Sequence, residues 1–259
     1  MSEKIQELLA VAHELAWQTG KITLRYFQTG ITPDQKADAS PVTVADREAE
    51  TFLREAIAAR YPNHAILGEE WGESGPPDAE WRWILDPIDG TKAFIHGMPI
   101  YGVMIGILHE GEPVIGVVNM PALGEIVYAG KGAGCWWNGR PCRVSQTARV
   151  PDSLLVATSA NRYERYQRQD AFDRLVSAAK MFRTWGDCYG YLLVATGRAE
   201  IMIDPVMNVW DAAALLPILQ EAGGTFTNWQ GKATIEDGEG IGTNGLVLDE
   251  VLRLIAGAV

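Results

Sequence analysis

"WILDPIDGTKAF", Trp83 to Phe94, sets two aspartates three positions apart at the end of a short apolar run. Pro87 lies between them and Gly90 follows. Pro87 biases Asp86 towards extended geometry and has no amide hydrogen to donate. Asp86 is therefore expected to project from the end of a buried strand. Asp89 should sit past a bend, with the Ile88 carbonyl free to turn the same way. Gly90 permits a backbone angle that other residues avoid, and Thr91 then opens a short helix. Two carboxylates and a carbonyl facing one point make a site for a hard cation, with Mg²⁺ the commonest candidate. The amides of Gly90 and Thr91 at a helix start would suit a phosphate. The same letters also spell a plain turn, since Asp-Pro and Asp-Gly are ordinary turn dipeptides.

Upstream, Ile5, Leu8, Leu9, Ala12, Leu15, Ala16 and Ile22 recur at helical spacing, so the chain begins with an amphipathic helix. "ITPDQKADAS" (31–40) reads as a polar loop. From Thr43, a plausible N-cap, a second helix runs to just before Pro62. "AILGEE" and "WRWILD" are short buried strands ending in acid. Downstream, residues 100–141 are rich in β-branched and aromatic residues with Gly and Pro between them, which predicts an antiparallel meander turning near "HEGEP" and "MPALGE". After Val150 strands and helices alternate: strand "SLLVATSA", a helix over about 165–179, strand "MFRTW" and helix "DCYGYLLVATG". Strand "AEIMID", helix "VWDAAALLPILQEAG", strands "GTFTNW" and "GIGTN" and a closing helix follow. This is a mixed α/β chain in two halves, 1–150 and 151–259, forming one compact unit with helices stacked on sheets.

Composition narrows the function. The 259 residues are 47% hydrophobic, enough for a sizeable core. Thirty-three acidic against 22 basic residues give a formal charge of -11. No Lys/Arg cluster stands out, so a nucleic-acid partner is excluded, and an anionic ligand would need cations to mediate. Cys135, Cys142 and Cys188 form no CxxC pair and read as reduced thiols of a cytoplasmic protein. The N-terminal stretch lacks a signal-peptide pattern, and no apolar run approaches membrane-spanning length, so no membrane partner is expected.

Other acids stand in telling places, each with an ordinary explanation beside the functional one. Glu69 and Glu70 follow a buried strand, where paired glutamates also suit a solvated loop. Asp211 begins a strongly apolar helix, where the helix dipole favours an acid. Asp46 lies three residues after Thr43, the position of a capping box. The four histidines are scattered without metal-ligand spacing, and "GKGAG" (130–134) lacks the Lys-Ser/Thr ending of a phosphate loop.

Taken together in order, "PVTVADREAE", "ILGEE", "WILDPIDGTKAF", "GVVNMPALGEIVYAGKGAG", "VWDAAALLPILQEAGG" and "GTNG" resemble the inositol monophosphatase family of Mg²⁺-dependent phosphatases over nearly the whole chain. The resemblance implies a five-layer α/β/α/β/α sandwich of the inositol monophosphatase and fructose-1,6-bisphosphatase type, usually a homodimer. It implies two or three Mg²⁺ ions on Glu69, Asp86, Asp89, Asp211 and the Ile88 carbonyl. Asp46 and Thr91 would orient the attacking water, with Glu69 also at the catalytic centre, and Asp89, Gly90, Thr91 and Asp211 would meet the substrate. Attack would be in line on a small-molecule phosphate ester, with no phospho-enzyme. The D-x-D phosphatases with an aspartate nucleophile are set aside, because the spacing here is D-x-x-D.

The leaving group must be read outside the metal motifs. Asp187 stands where inositol phosphatases typically carry a small or hydroxyl residue. Asp204, seven positions before Asp211, occupies the place of an acid that contacts the leaving part. Extra carboxylates favour a substrate with a cationic end. "GD-x-x-x-Y…VWDAAAL" resembles the family's histidinol-phosphatase branch, which makes histidinol phosphate the expected substrate. The alternative for Asp187 is a cap on a helix starting at Cys188. Alternatives for the whole chain are an inositol or broader polyol phosphatase and a catalytically silent regulatory homologue. A bisphosphate-nucleotide phosphatase would need a basic surface that this sequence lacks.

Overall fold

Burial of one apolar stripe makes the first helix. In the computed structural model, which describes residues 2–36 and 41–257, α1 (Glu3–Leu24) starts at Ser2, whose hydroxyl accepts from the Ile5 amide. It turns Leu8, Ala12, Leu15 and Ala16 inward. Two residues each of β1 (Asp34–Gln35) and β2 (Pro41–Val42) pair antiparallel within and beyond the expected polar loop. Residues 37–40 of that loop lie outside the described residues. α2 (Val44–Arg60) opens on the expected cap: the Asp46 carboxylate accepts from the Thr43 amide at 2.8 Å, and the Thr43 hydroxyl accepts from the Ala45 amide.

β3 (Ala65–Gly68), β4 (Gly72–Ser74) and β5 (Trp81–Asp89) lead through α3 (Thr91–Ile95) into the predicted meander. Its strands are β6 (Gly102–His109), β7 (Glu112–Met120), β8 (Glu125–Gly130), β9 (Gly134–Trp137) and β10 (Arg140–Pro141). They form one eight-stranded sheet in the order β10-β9-β8-β7-β6-β5-β3-β4, antiparallel except where β3 runs parallel to β5. β5 differs from expectation: it continues through Pro87 to Asp89 instead of stopping at Asp86. A register irregularity between Asp86 and Asp89 explains how an interior strand tolerates a proline, since the residue without an amide falls where the ladder is interrupted.

The second half places β11 (Leu154–Ala157), α4 (Gln169–Ala178), β12 (Met181–Arg183), α5 (Asp187–Ala195) and β13 (Ile201–Asp204) in the predicted alternation. α6 (Val209–Ala212), α7 (Leu215–Glu221), β14 (Thr225–Thr227), β15 (Gly240–Thr243) and α8 (Leu248–Ala256) complete it. The strands order as β12-β11-β13-β15-β14, with β11 parallel to both neighbours and β15 antiparallel to both of its own. Two expectations need correction. α4 starts four residues late, because buried Tyr163 ties the preceding loop to β13 through its hydroxyl and accepts from the Arg168 amide. The single helix expected over "VWDAAALLPILQEAG" is two, α6 and α7; Pro217 in α7 cannot return a hydrogen bond to the preceding turn.

Three apolar layers join these parts. α1 and α2 pack on one face of the large sheet around Leu15, Leu53, Trp83 and Ile105. α5, α6 and α7 fill the space between the two sheets with Tyr191, Leu192, Ala213 and Leu219, against Met104, Val118 and Met202. α4 and α8 cover the outer face of the small sheet around Leu155, Phe172, Ile203 and Val251. The result is the five-layer α/β/α/β/α sandwich.

Candidate active site

Because β3 and β5 are parallel neighbours, the acids that follow each emerge side by side. The Glu69 amide donates to the Leu85 carbonyl at 3.1 Å, and Asp86 follows Leu85 directly. Asp86 is 1% exposed, and its Oδ1 accepts from the Ile88 amide at 3.0 Å, bending the chain around Pro87. Asp89 reaches across to the start of α5, where it accepts from the Cys188 amide. Asp211 arrives from α6. One oxygen each from Asp86, Asp89 and Asp211 lie within 4.8 Å of one another.

Two of the candidate site acids, Asp211 and Asp46, also cap helices. Asp211 is the third residue of α6, and its Oδ2 accepts from the Asn208 amide at 2.6 Å. Asp46 uses its Oδ2 in the same way on Thr43, which leaves Oδ1 buried without a hydrogen-bond partner among the described residues. Each cap pins its carboxylate to a rigid helix end.

Crowding acids into this space raises their affinity for protons. Burial, then the Glu69, Asp89 and Asp211 carboxylates, pushes Asp86 well above the usual carboxylate range. Burial, then Asp187 and Asp211, does the same to Asp89, against the bond from Cys188. Asp211 is pushed up to about 6 by burial, against the hydrogen bond from the Asn208 amide. Burial takes Asp46 to about 6, against its bonds from Thr43.

Glu69 stands at the edge of this group. It raises Asp86 and Asp211 electrostatically, yet its carboxylate also pairs with Lys36 at 2.8 Å. Lys36 holds Glu70 as well, at 2.7 Å. Sequence reading misses Lys36 because a lone lysine in a polar loop has no spacing that ties it to a distant acid.

Thr91 opens α3. Its hydroxyl donates to the Ile88 carbonyl at 3.1 Å and not to Asp46. A hydroxyl in the first turn of a helix readily reaches back three residues. Gly90 is left-handed, φ 81°, as its place between strand and helix requires.

Asp187 does not cap α5. It is the first residue of that helix, with φ 51°, and the N-cap is Gly186 without a side-chain cap bond. Its amide donates to the Thr158 hydroxyl at 2.9 Å, and its half-buried carboxylate lies against Gly90. Burial pushes it up to about 6, while Arg162 and Lys92 pull it back. Asp204, at the end of β13, is 5% exposed and accepts from the Tyr191 hydroxyl at 3.3 Å. Burial pushes it up to about 8, against its bond from Thr158. Asp204 thus sits deeper than Asp187. Thr158, Arg162 and Lys92 carry no sequence signal, because only the fold brings them to Asp187.

The inositol monophosphatase family profile matches residues 4–258. The chain belongs to the inositol monophosphatase family. A histidinol-phosphatase of Chlorobaculum parvum is 45% identical over 234 residues, 90% of each chain. One of Mycobacterium tuberculosis is 38% identical over 256 residues, covering 96% of this chain and 98% of its own. The solved structure of an inositol monophosphatase from Zymomonas mobilis superimposes with a TM-score of 0.88 at 32% identity, over 99% of this chain and 100% of that one. This inositol monophosphatase family member is thus a phosphatase, a phosphoric monoester hydrolase. Among its described residues no helix is long and apolar enough to cross a membrane.

The donor set fits a hard divalent cation. The three converging ligand atoms are all carboxylate oxygens, and burial, then mutual repulsion, raises the proton affinity of Asp86 and Asp89, a repulsion that positive charge would relieve.

Proposed function

We propose that the chain hydrolyses histidinol phosphate to histidinol and phosphate, with two or three Mg²⁺ ions held by Glu69, Asp86, Asp89, Asp211 and the Ile88 carbonyl. When bound, the ions supply charge neutralisation for the phosphate and activation of water. The remaining work falls to the chain. Gly90 and Thr91, at the turn from β5 into α3, orient the phosphate. Thr91 Oγ1 takes the proton of the attacking water and passes its own to Asp46, whose Oδ1 has no competing partner among the described residues. For this the hydroxyl must leave the Ile88 carbonyl, its present acceptor. A homodimer in the cytoplasm belongs to the same proposal, on the family resemblance and the three free cysteines.

The substrate assignment rests on one observation: the Asp187 carboxylate lies against Gly90, where a leaving group with a cationic end would meet it. The names of the Chlorobaculum parvum and Mycobacterium tuberculosis relatives support it. A second reading, hydrolysis of neutral polyol phosphates, is favoured by Arg162 and Lys92, which offset the Asp187 charge. Initial rates with Mg²⁺ on histidinol phosphate, inositol 1-phosphate, fructose 1,6-bisphosphate and adenosine 3′,5′-bisphosphate separate them. Histidinol phosphate should lead in kcat/KM by about tenfold or more, a difference of ~1.4 kcal/mol. Equal or faster hydrolysis of inositol 1-phosphate would overturn the assignment in favour of the polyol reading.

A further inference from the structure

We infer that Glu50 is a positioning residue for the metal ligand Glu69, an inference that rests on the metal reading proposed above. Glu50 stands four residues after Asp46, one turn along α2, and is 0% exposed. A buried carboxylate with nothing to do would be costly. This one is fully engaged. Its Oε2 accepts from the Glu70 amide at 2.7 Å, and its Oε1 accepts from the Trp71 amide at 3.2 Å and from Arg54 Nε at 2.7 Å.

Those amides belong to the turn between β3 and β4, immediately after Glu69. The Glu69 amide is itself fixed to the Leu85 carbonyl of β5. The backbone is therefore held at Glu69, at Glu70 and at Trp71, and the direction of the Glu69 side chain follows. Arg54 completes the clamp on the far side of the turn, donating to the Gly72 carbonyl and, at 2.8 Å, to the Ser74 hydroxyl. Gly68 makes the approach possible, since a Cβ there would stand 2.1 Å from Glu50 Oε1. One helix thus carries Asp46 into the site on one turn and, on the next, sets the strand end that delivers Glu69.

An amide in place of the carboxylate keeps the shape but turns a donor towards donors, so at least one of the three bonds is lost. Calorimetric titration of Mg²⁺ into chelated, folded protein tests the role without depending on turnover. Glu50→Gln should bind Mg²⁺ at least about tenfold more weakly, with kcat at saturating Mg²⁺ within about threefold of wild type. Glu200→Gln serves as reference: Glu200 is also buried and accepts from the Leu154 amide at 2.7 Å, but in the small-sheet half. It should lower the melting temperature and leave Mg²⁺ affinity unchanged. Should Glu50→Gln not fold, Glu50→Asp keeps the charge for Arg54 but is too short to hold both amides, and the same loss of affinity is expected. Mg²⁺ affinity within threefold of wild type in the folded variant, with only the stability loss seen for Glu200→Gln, would overturn the inference. A wild type that takes up no Mg²⁺ would instead overturn the metal reading itself.

Discussion

Among single residues, Asp187 and Asp204 are two acids of one neighbourhood that lie at different depths. Asp187 is half-buried beside Gly90, and burial pushes its carboxyl up to about 6 while Arg162 and Lys92 favour the charged form. Asp187→Asn should lower kcat/KM for histidinol phosphate by about 1.5–3 kcal/mol, the value of a hydrogen bond to a charged group. Glycerol phosphate, which has no cationic end, should be hydrolysed as before. Asparagine tolerates the left-handed backbone as aspartate does, so a loss common to both substrates would mean the carboxylate recognises neither. Asp204 titrates near 8 when folded and near 4 when unfolded. Its contribution to stability is therefore fully present below about pH 4 and is lost as pH rises through about 8. Asp204→Asn, neutral throughout, should gain in melting temperature over wild type progressively from pH 5 to pH 9, measured in chelated protein. A difference that does not change with pH would contradict this.

At the scale of elements, the site depends on how closely α6 and α7 approach the large sheet. Gly106 and Gly116 are opposite one another on β6 and β7, beneath the junction of those helices. A Cβ at Gly116 would stand 1.9 Å from the Ala214 carbonyl oxygen. Gly116→Ala should therefore cost about 1–3 kcal/mol in stability, the usual penalty of overpacking, and reduce activity as α6 carries Asp211 away. Thermal unfolding and rates would check it, and an unchanged melting temperature would rule out so close a packing. The same elements show what the sequence carries. Strand ends terminating in acid, the Thr43 cap and the meander of residues 100–141 are legible because period, turn chemistry and capping are local. The break between α6 and α7 is foreshadowed only by Pro217. The late start of α4 is set by Tyr163 bonding to β13, forty residues away. Lys36, Glu50 and Thr158 reach the site through partners distant in the chain, so no spacing reveals them. Asp46 and Asp211 are legible twice over, as caps and as candidate site acids, and the caps are both formed.

For the whole molecule, the layered arrangement explains why an acidic protein can handle an anionic substrate. The N-terminal half supplies Asp46, Glu69, Asp86 and Asp89; the C-terminal half closes the cluster with Asp211 and sets Asp187 beside it. Neither half alone holds the three converging oxygens. Under the proposed function, divalent cations resolve this charge conflict. Hydrolysis of histidinol phosphate by protein stripped with a chelator, then titrated with Mg²⁺, tests that role directly. Turnover should be absent until Mg²⁺ is restored and recover fully at saturation, with no recovery in Asp211→Asn at the concentration that restores wild type. Full turnover by the stripped protein would contradict it.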